Sequence, residues 1–144
     1  MDFQPVDGDL RVNRYELAAS QTIEVGDPVT LNSSGLVEIA GAASAALLGV
    51  AASPCTSSTA NDVILVYDGL DTVFKCRCDA SGEAVQAIVG DIVDLVVTSN
   101  VFYANLGASA VDVLKVVDIG VNRDPKLNAA YVFVKIHTHS LAPA

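Results

Sequence analysis

Residues 61–82 read NDVILVYDGLDTVFKCRCDASG. Two runs rich in β-branched and aromatic residues, Val63 to Tyr67 and Thr72 to Cys78, flank Asp68-Gly69, a dipeptide favoured in tight hairpin turns. The stretch therefore predicts two strands joined as a hairpin. Alternation assigns the faces of the second strand: Phe74, Cys76 and Cys78 on one, Val73, Lys75, Arg77 and Asp79 on the other. The cysteines share the face without charges, where a cysteine behaves as a small hydrophobe.

The flanks continue the pattern. Upstream, Val29, Leu31, Leu36, Val37 and Ile39 bracket an Asn32 to Gly35 turn and predict a second hairpin, with Gly35 supplying the permissive backbone angles. In GAASAALLGVAASP the alanines favour a helix, but Gly41, Gly49 and the short apolar run favour a buried strand between loops. Downstream, Glu83 to Ile88 approximates one helical turn, Ile92 to Thr98 and Val101 to Ala104 read as strands, and VDVLKVVDIG alternates imperfectly before the loop VNRDPKLN. In AAYVFVKIHTHS, Tyr131, Phe133, Lys135 and His137 fall on one face and Val132, Val134, Ile136 and Thr138 on the other. Roughly nine short strands with turn signals every 8 to 12 residues predict an all-β, single-domain β-barrel or β-sandwich. Residues 1–14 show little periodicity and read as an irregular N-terminal arm, leaving 15–144 as the β-rich domain.

Composition agrees. Valine, isoleucine and threonine supply 36 of 144 residues, and tryptophan is absent, so the core must be built from branched aliphatic side chains. The chain is 51% apolar and only 17% charged, yet lacks a run of roughly 18 apolar residues able to span a bilayer. A surface partly covered by sister chains is the expectation, without membrane insertion. A net charge of -9 opposes phosphate backbones and argues against nucleic-acid binding. The N-terminus MDFQPVDGDLRV has neither the basic nor the apolar region of a secretory signal, so synthesis in the cytoplasm is expected, with the three cysteines as thiols.

Cys76 and Cys78 could pair with His137 and His139 to make the donor set of a Cys2His2 zinc site, as in a zinc-bound regulatory domain. Two facts weigh against it: structural zinc sites space their cysteines by two to four residues rather than one, and His137 lies opposite the predicted core face. A Cys76–Cys78 disulfide would strain the separation of same-face neighbours along a strand. Cys55, in a polar loop, is expected to be the more exposed thiol. No GxSxG elbow, P-loop, GxGxxG or HExxH occurs, and Asp91, Asp94, Asp68 and Asp71 read as solvated loop aspartates. The expectation is a non-enzyme without metal or cofactor.

The stretch IEVGDPVTLNSSGLVEI followed by LLGVAAS resembles the head decoration, or capsid cement, proteins of tailed bacteriophages. The matching positions are Gly26, Asp27, Pro28, Val29, Leu31, Gly35, Leu36, Val37, Leu47, Leu48, Gly49, Val50 and Ala51, within residues 20 to 80. The resemblance implies a virion structural protein that binds the outer capsid surface, partners the major capsid protein, commonly forms homotrimers at local three-fold axes, and strengthens the shell. Expected contacts, assigned from position, are Asp2, Phe3, Gln4, Pro5, Arg11 and Arg14 of the arm and His137 and His139 near the C-terminus. The alternative is a receptor- or carbohydrate-binding β-module of a virion, for which Phe102 and Tyr103 beside Asn105 are the candidate aromatic platform.

Overall fold

The computed structural model describes residues 2–59, 61–78, 84–123 and 130–141. The strands are β1 (Gln4–Asp7), β2 (Val12–Glu16), β3 (Pro28–Leu31), β4 (Val37–Ile39), β5 (Gly49–Ala51), β6 (Val63–Tyr67), β7 (Val73–Arg77), β8 (Ile92–Thr98), β9 (Val101–Asn105), β10 (Leu114–Ile119) and β11 (Tyr131–Ile136), with one helical turn, α1 (Gly120–Arg123). They form two antiparallel sheets, ordered β1-β7-β11-β10-β8-β9 and β2-β6-β5-β3-β4. The all-β, single-domain reading holds.

Each sheet curls toward closure. A parallel bridge joins Leu17, just past β2, to Val37 of β4 at the far side of the five-stranded sheet, and the Ala18 N–H donates to the Val37 carbonyl at 3.0 Å. A second parallel bridge joins Cys78, just past β7, to Ala104 of β9. The curl creates two apolar centres. Ile23, Val29, Val37, Leu48, Ile64 and Val66 fill one inside the five-stranded sheet. The larger centre gathers Phe3, Phe74, Cys76, Leu95, Leu114, Val132 and Val134 with Leu47, just before β5, and Val50 of β5. Phe3 and Phe74 meet edge to face, centroids 6.4 Å apart, a favoured aromatic geometry.

The hairpin at Asn32 to Gly35 forms as the turn chemistry requires: β3 and β4 pair in register Leu31↔Val37, the Asn32 side chain accepts the Ser34 and Leu36 N–H groups, and Gly35 takes φ +75°. The alanine-rich stretch yields the buried strand β5, which pairs with β3 and β6. The predicted hairpin at Asp68-Gly69 does not form. β6 lies between β2 and β5, while β7 lies between β1 and β11 in the other sheet, so residues 68–72 cross from sheet to sheet. The side chains hold the crossing open: Asp68 is taken by donors from β2 and its approach, and the Thr72 hydroxyl donates to the Asp9 carbonyl.

The irregular arm is also corrected. Residues 4–7 and 12–16 are strands, one in each sheet, and Phe3 is 1% exposed in the larger core. Phe133, read with the solvent face of β11, is buried, with the Arg123 guanidinium 4.5 Å over its ring. The expected turn at Glu83 to Ile88 is a 3-10 turn at Gln86–Ile88, with Glu83 outside the described residues. The loop VNRDPKLN begins within α1, and its residues 124–128 also lie outside them. Asp94, read as solvated, is 7% exposed and accepts the N–H groups of Ala110, Val111 and Asp112 at 2.8 to 2.9 Å. Burial pushes that carboxyl up, but the three N–H bonds outweigh it and hold it below the ordinary value.

Candidate functional site

The most connected polar centre surrounds Asp68. Arg11, Asn13 and Tyr15 alternate, so their side chains share one side of β2 and converge on the carboxylate at the end of the neighbouring strand. Arg11 Nε donates at 3.0 Å, Asn13 Nδ2 reaches both oxygens at 2.9 Å, and the Tyr15 hydroxyl donates to Oδ2. Asp68 itself is 1% exposed. Burial raises its pKa, but the Tyr15 and Asn13 hydrogen bonds and the Arg11 charge outweigh burial and hold it below the ordinary value. Such a saturated carboxylate is a tie between strands.

His139 completes the tie from the C-terminal side. The Leu47 N–H donates to the Thr138 carbonyl at 3.0 Å, and the Ser140 N–H donates to the Leu47 carbonyl at 2.9 Å, seating the buried ring beside the crossing. Its Nδ1 accepts the Leu141 N–H at 3.1 Å, which leaves the ring proton on Nε2 in the neutral form. Among the described residues Nε2 has no partner within hydrogen-bonding geometry, although the Asp68 and Gly69 carbonyls are close enough to favour the charged form. Burial outweighs them, and the His139 pKa lies below the ordinary value.

Tyr15 carries the opposite signature. Burial first, then the bond to Asp68, push its phenol up to about 12. Because the folded value lies above the ordinary 10.0, this contribution to stability is full below pH 10 and is lost as pH rises through about 12. Spectrophotometric titration should show one tyrosine ionising only near pH 12, and Tyr15→Phe should remove that step. A Tyr15→Phe protein that retained it would dissolve the assignment.

A second feature occupies the outer face of the six-stranded sheet. Lys75 and Arg77 flank the Tyr131 ring at 5.4 and 5.7 Å, and cross-strand register sets Lys115 beside Lys135. With Arg123, five of the seven basic residues among the described residues lie here. Acidic neighbours balance part of the charge: Asp118 and Asp7 on Arg123, and Asp71 on Lys135. Asp2 and Gln4 line a small cleft of about 80 Å³ with Lys75, Arg77, Phe102 and Tyr131. A larger cleft, about 370 Å³, opens between Glu24, Asp27, Ile39, Val97 and Phe102.

The eight expected contact residues are scattered. Phe3 and His139 are buried within the chain and cannot be outer contacts in this fold. Arg11 and His139 meet at Asp68; Asp2 caps β9 by accepting the Phe102 N–H at 3.0 Å. Gln4, Arg14 and His137 are exposed, and Pro5 is half-buried. Cys76 and Cys78 are buried with Phe74, as their register requires, and burial pushes the Cys76 thiol well up. Half-buried Cys55 points its thiol at the Gln21 carbonyl, and burial raises its pKa too. Among the described residues, no three His, Cys, Asp or Glu side chains gather as a metal site. Phe102, proposed for an aromatic platform, belongs to the core.

Sequence reasoning missed Asp68 because Asp-Gly is a turn signal. The available clue was the alternation Arg11-x-Asn13-x-Tyr15, three donors on one side of a strand. Comparison with protein-family models, curated proteins and solved structures found no match. No helix among the described residues is long and apolar enough to cross a membrane.

Proposed function

We propose that the chain is a virion structural protein, a head decoration protein that binds the major capsid protein on the outer surface of a tailed-phage shell and stabilises it as a homo-oligomer. The reading rests on the two halves of the resemblance, which form one packed unit. Pro28 and Val29 pair with Val50 and Gly49, the Gly26 N–H donates to the Ala51 carbonyl, and the Ala51 N–H donates back to the Asp27 carbonyl, each at 2.9 Å. Their mutual backbone bonding is what supports reading them as one unit. Exposed apolar residues support association as the mode of action: six of the ten exposed large apolar side chains among the described residues, Val6, Leu10, Val12, Val63, Leu65 and Leu70, lie on β1, β2 and the link between them, on β6 or on the crossing.

Capsids of the phage that encodes the chain, prepared without it, should bind the purified protein on sedimentation. Decorated shells should then survive heating and low salt that rupture bare shells. Failure to co-sediment, or equal survival of both shells, would overturn the proposal.

A further inference from the structure

Past β11 the chain does not leave the fold: it runs on beside the alanine-rich approach to β5. The His137 N–H donates to the Val113 carbonyl at 2.8 Å, the Leu47 N–H to the Thr138 carbonyl at 3.0 Å, and the Ser140 N–H to the Leu47 carbonyl at 2.9 Å. The Thr138 hydroxyl donates to the Asp112 carbonyl at 3.0 Å, and a parallel bridge sets Leu47 beside His139. His139 is the one buried side chain between residues 137 and 141. Few bonds and one ring therefore hold this segment down, which places it at the low end of local stability.

The seat of that ring suits only the neutral form. Nε2 is the one buried side-chain nitrogen or oxygen among the described residues without a hydrogen-bond partner, so even the neutral ring gives up a bond to water. Nδ1 accepts the Leu141 N–H, a bond that exists only while Nδ1 carries no proton. Charging the ring would set one N–H against another there. Little nearby would compensate. The charged groups facing the ring are the Asp68 carboxylate from the crossing and the Arg11 guanidinium from the approach to β2. Arg11, Asn13 and Tyr15 already occupy that carboxylate, and the guanidinium repels a second cation. Residues 40–51 bring no titratable side chain, and Asp112 meets the segment through its carbonyl.

We infer that residues Thr138 to Leu141 form an acid-released clasp: protonation of His139 frees the segment from Leu47 and the crossing while both sheets stay folded. The closed clasp holds the neutral ring, and the open clasp lets water solvate the charged one. Because the folded His139 value lies below the ordinary 6.5, closure is at full strength above pH 6.5 and weakens as pH falls toward the folded value. Opening bares the Leu47 N–H and carbonyl, both of which the clasp occupies. The larger apolar centre persists, since β7, β8, β10 and β11 supply most of it. The inference does not rest on the capsid reading.

Amide hydrogen exchange of the intact protein, read residue by residue by NMR and corrected for the intrinsic pH dependence of exchange, tests it. Between about pH 8 and about pH 6.5 the Leu47, Ser140 and Leu141 amides should keep constant protection. Below that they should lose it together, up to about tenfold for each pH unit until the folded His139 value is reached, while the amides of β11 keep theirs. His139→Asn places an acceptor near the position of Nδ1 that cannot take a proton, and should remove the pH response. His137→Gln changes the exposed neighbour and should leave the response as in wild type. Constant protection of the three amides down to about pH 4.5 would overturn the inference. So would a loss shared with the β11 amides, a response that persists in folded His139→Asn protein, or one that His137→Gln abolishes. Should His139→Asn not fold, the wild-type profile and the His137→Gln control decide between these outcomes.

Discussion

Gly49→Ala should leave little folded protein, with a loss at or above the upper end of the roughly 1–3 kcal/mol typical of overpacking. A Cβ at this position would stand 2.0 Å from the Tyr67 carbonyl oxygen and 2.9 Å from both its carbon and Val66 Cγ1. β6 cannot retreat, because β2 and β5 hold it from both sides. Gly41→Ala is the control: nothing lies within 4 Å of its added methyl, and urea unfolding should place it within about 0.5 kcal/mol of wild type. If Gly49→Ala unfolded at nearly the same urea concentration, β5 and β6 would have to be more loosely apposed than this geometry. The glycine of the LLGVA segment therefore has a packing reason: it lets two strands of the curled sheet approach.

Asp68→Ala should cost about 3 kcal/mol and lower the melting temperature by about 10 °C, since it strips a buried acceptor from three side-chain donors at once. Asn13 and Tyr15 suffer most, while the half-exposed Arg11 side chain can turn to water. Asp68→Asn, which keeps one acceptor oxygen, should lose less. The pH dependence follows from the depressed carboxyl pKa values of Asp68 and Asp94. Their stabilisation is complete above the unfolded value of about 3.9 and is lost as pH falls through the lower folded values. The difference between wild type and Asp68→Ala should thus be full at neutral pH and shrink in strong acid. His139 acts earlier: with its folded pKa below 6.5, its contribution declines as pH falls from 6.5 through the folded value. Chemical denaturation at stepped pH would separate the two windows. An Asp68→Ala protein as stable as wild type at pH 7 would reduce the cluster to a surface contact.

Much of the fold could be read from periodicity and turn chemistry. Alternation placed Phe74, Cys76 and Cys78 in the core, and placed Val132, Val134 and Ile136 there as well. Asn32 and Gly35 were enough for the β3–β4 hairpin, because such a turn closes through bonds among its own residues. These features are local, and local sequence determines them.

The Asp68-Gly69 crossing shows where that stops. The dipeptide satisfies a hairpin, but Asp68 sits 53 to 57 positions from its three donors. Whether it turns a hairpin or ties two sheets depends on where β2 comes to rest. The same holds for residues 1–14, which lack periodicity because each strand is short, lies at a sheet edge and faces mostly solvent. The sequence by itself determined an all-β chain and the core faces of its longer strands, because side-chain alternation is a property of one strand. Only the tertiary structure decided which strands pair, which aspartates are buried and where each sheet curls back on itself, because those outcomes depend on competition among distant partners for the same backbone and side-chain groups.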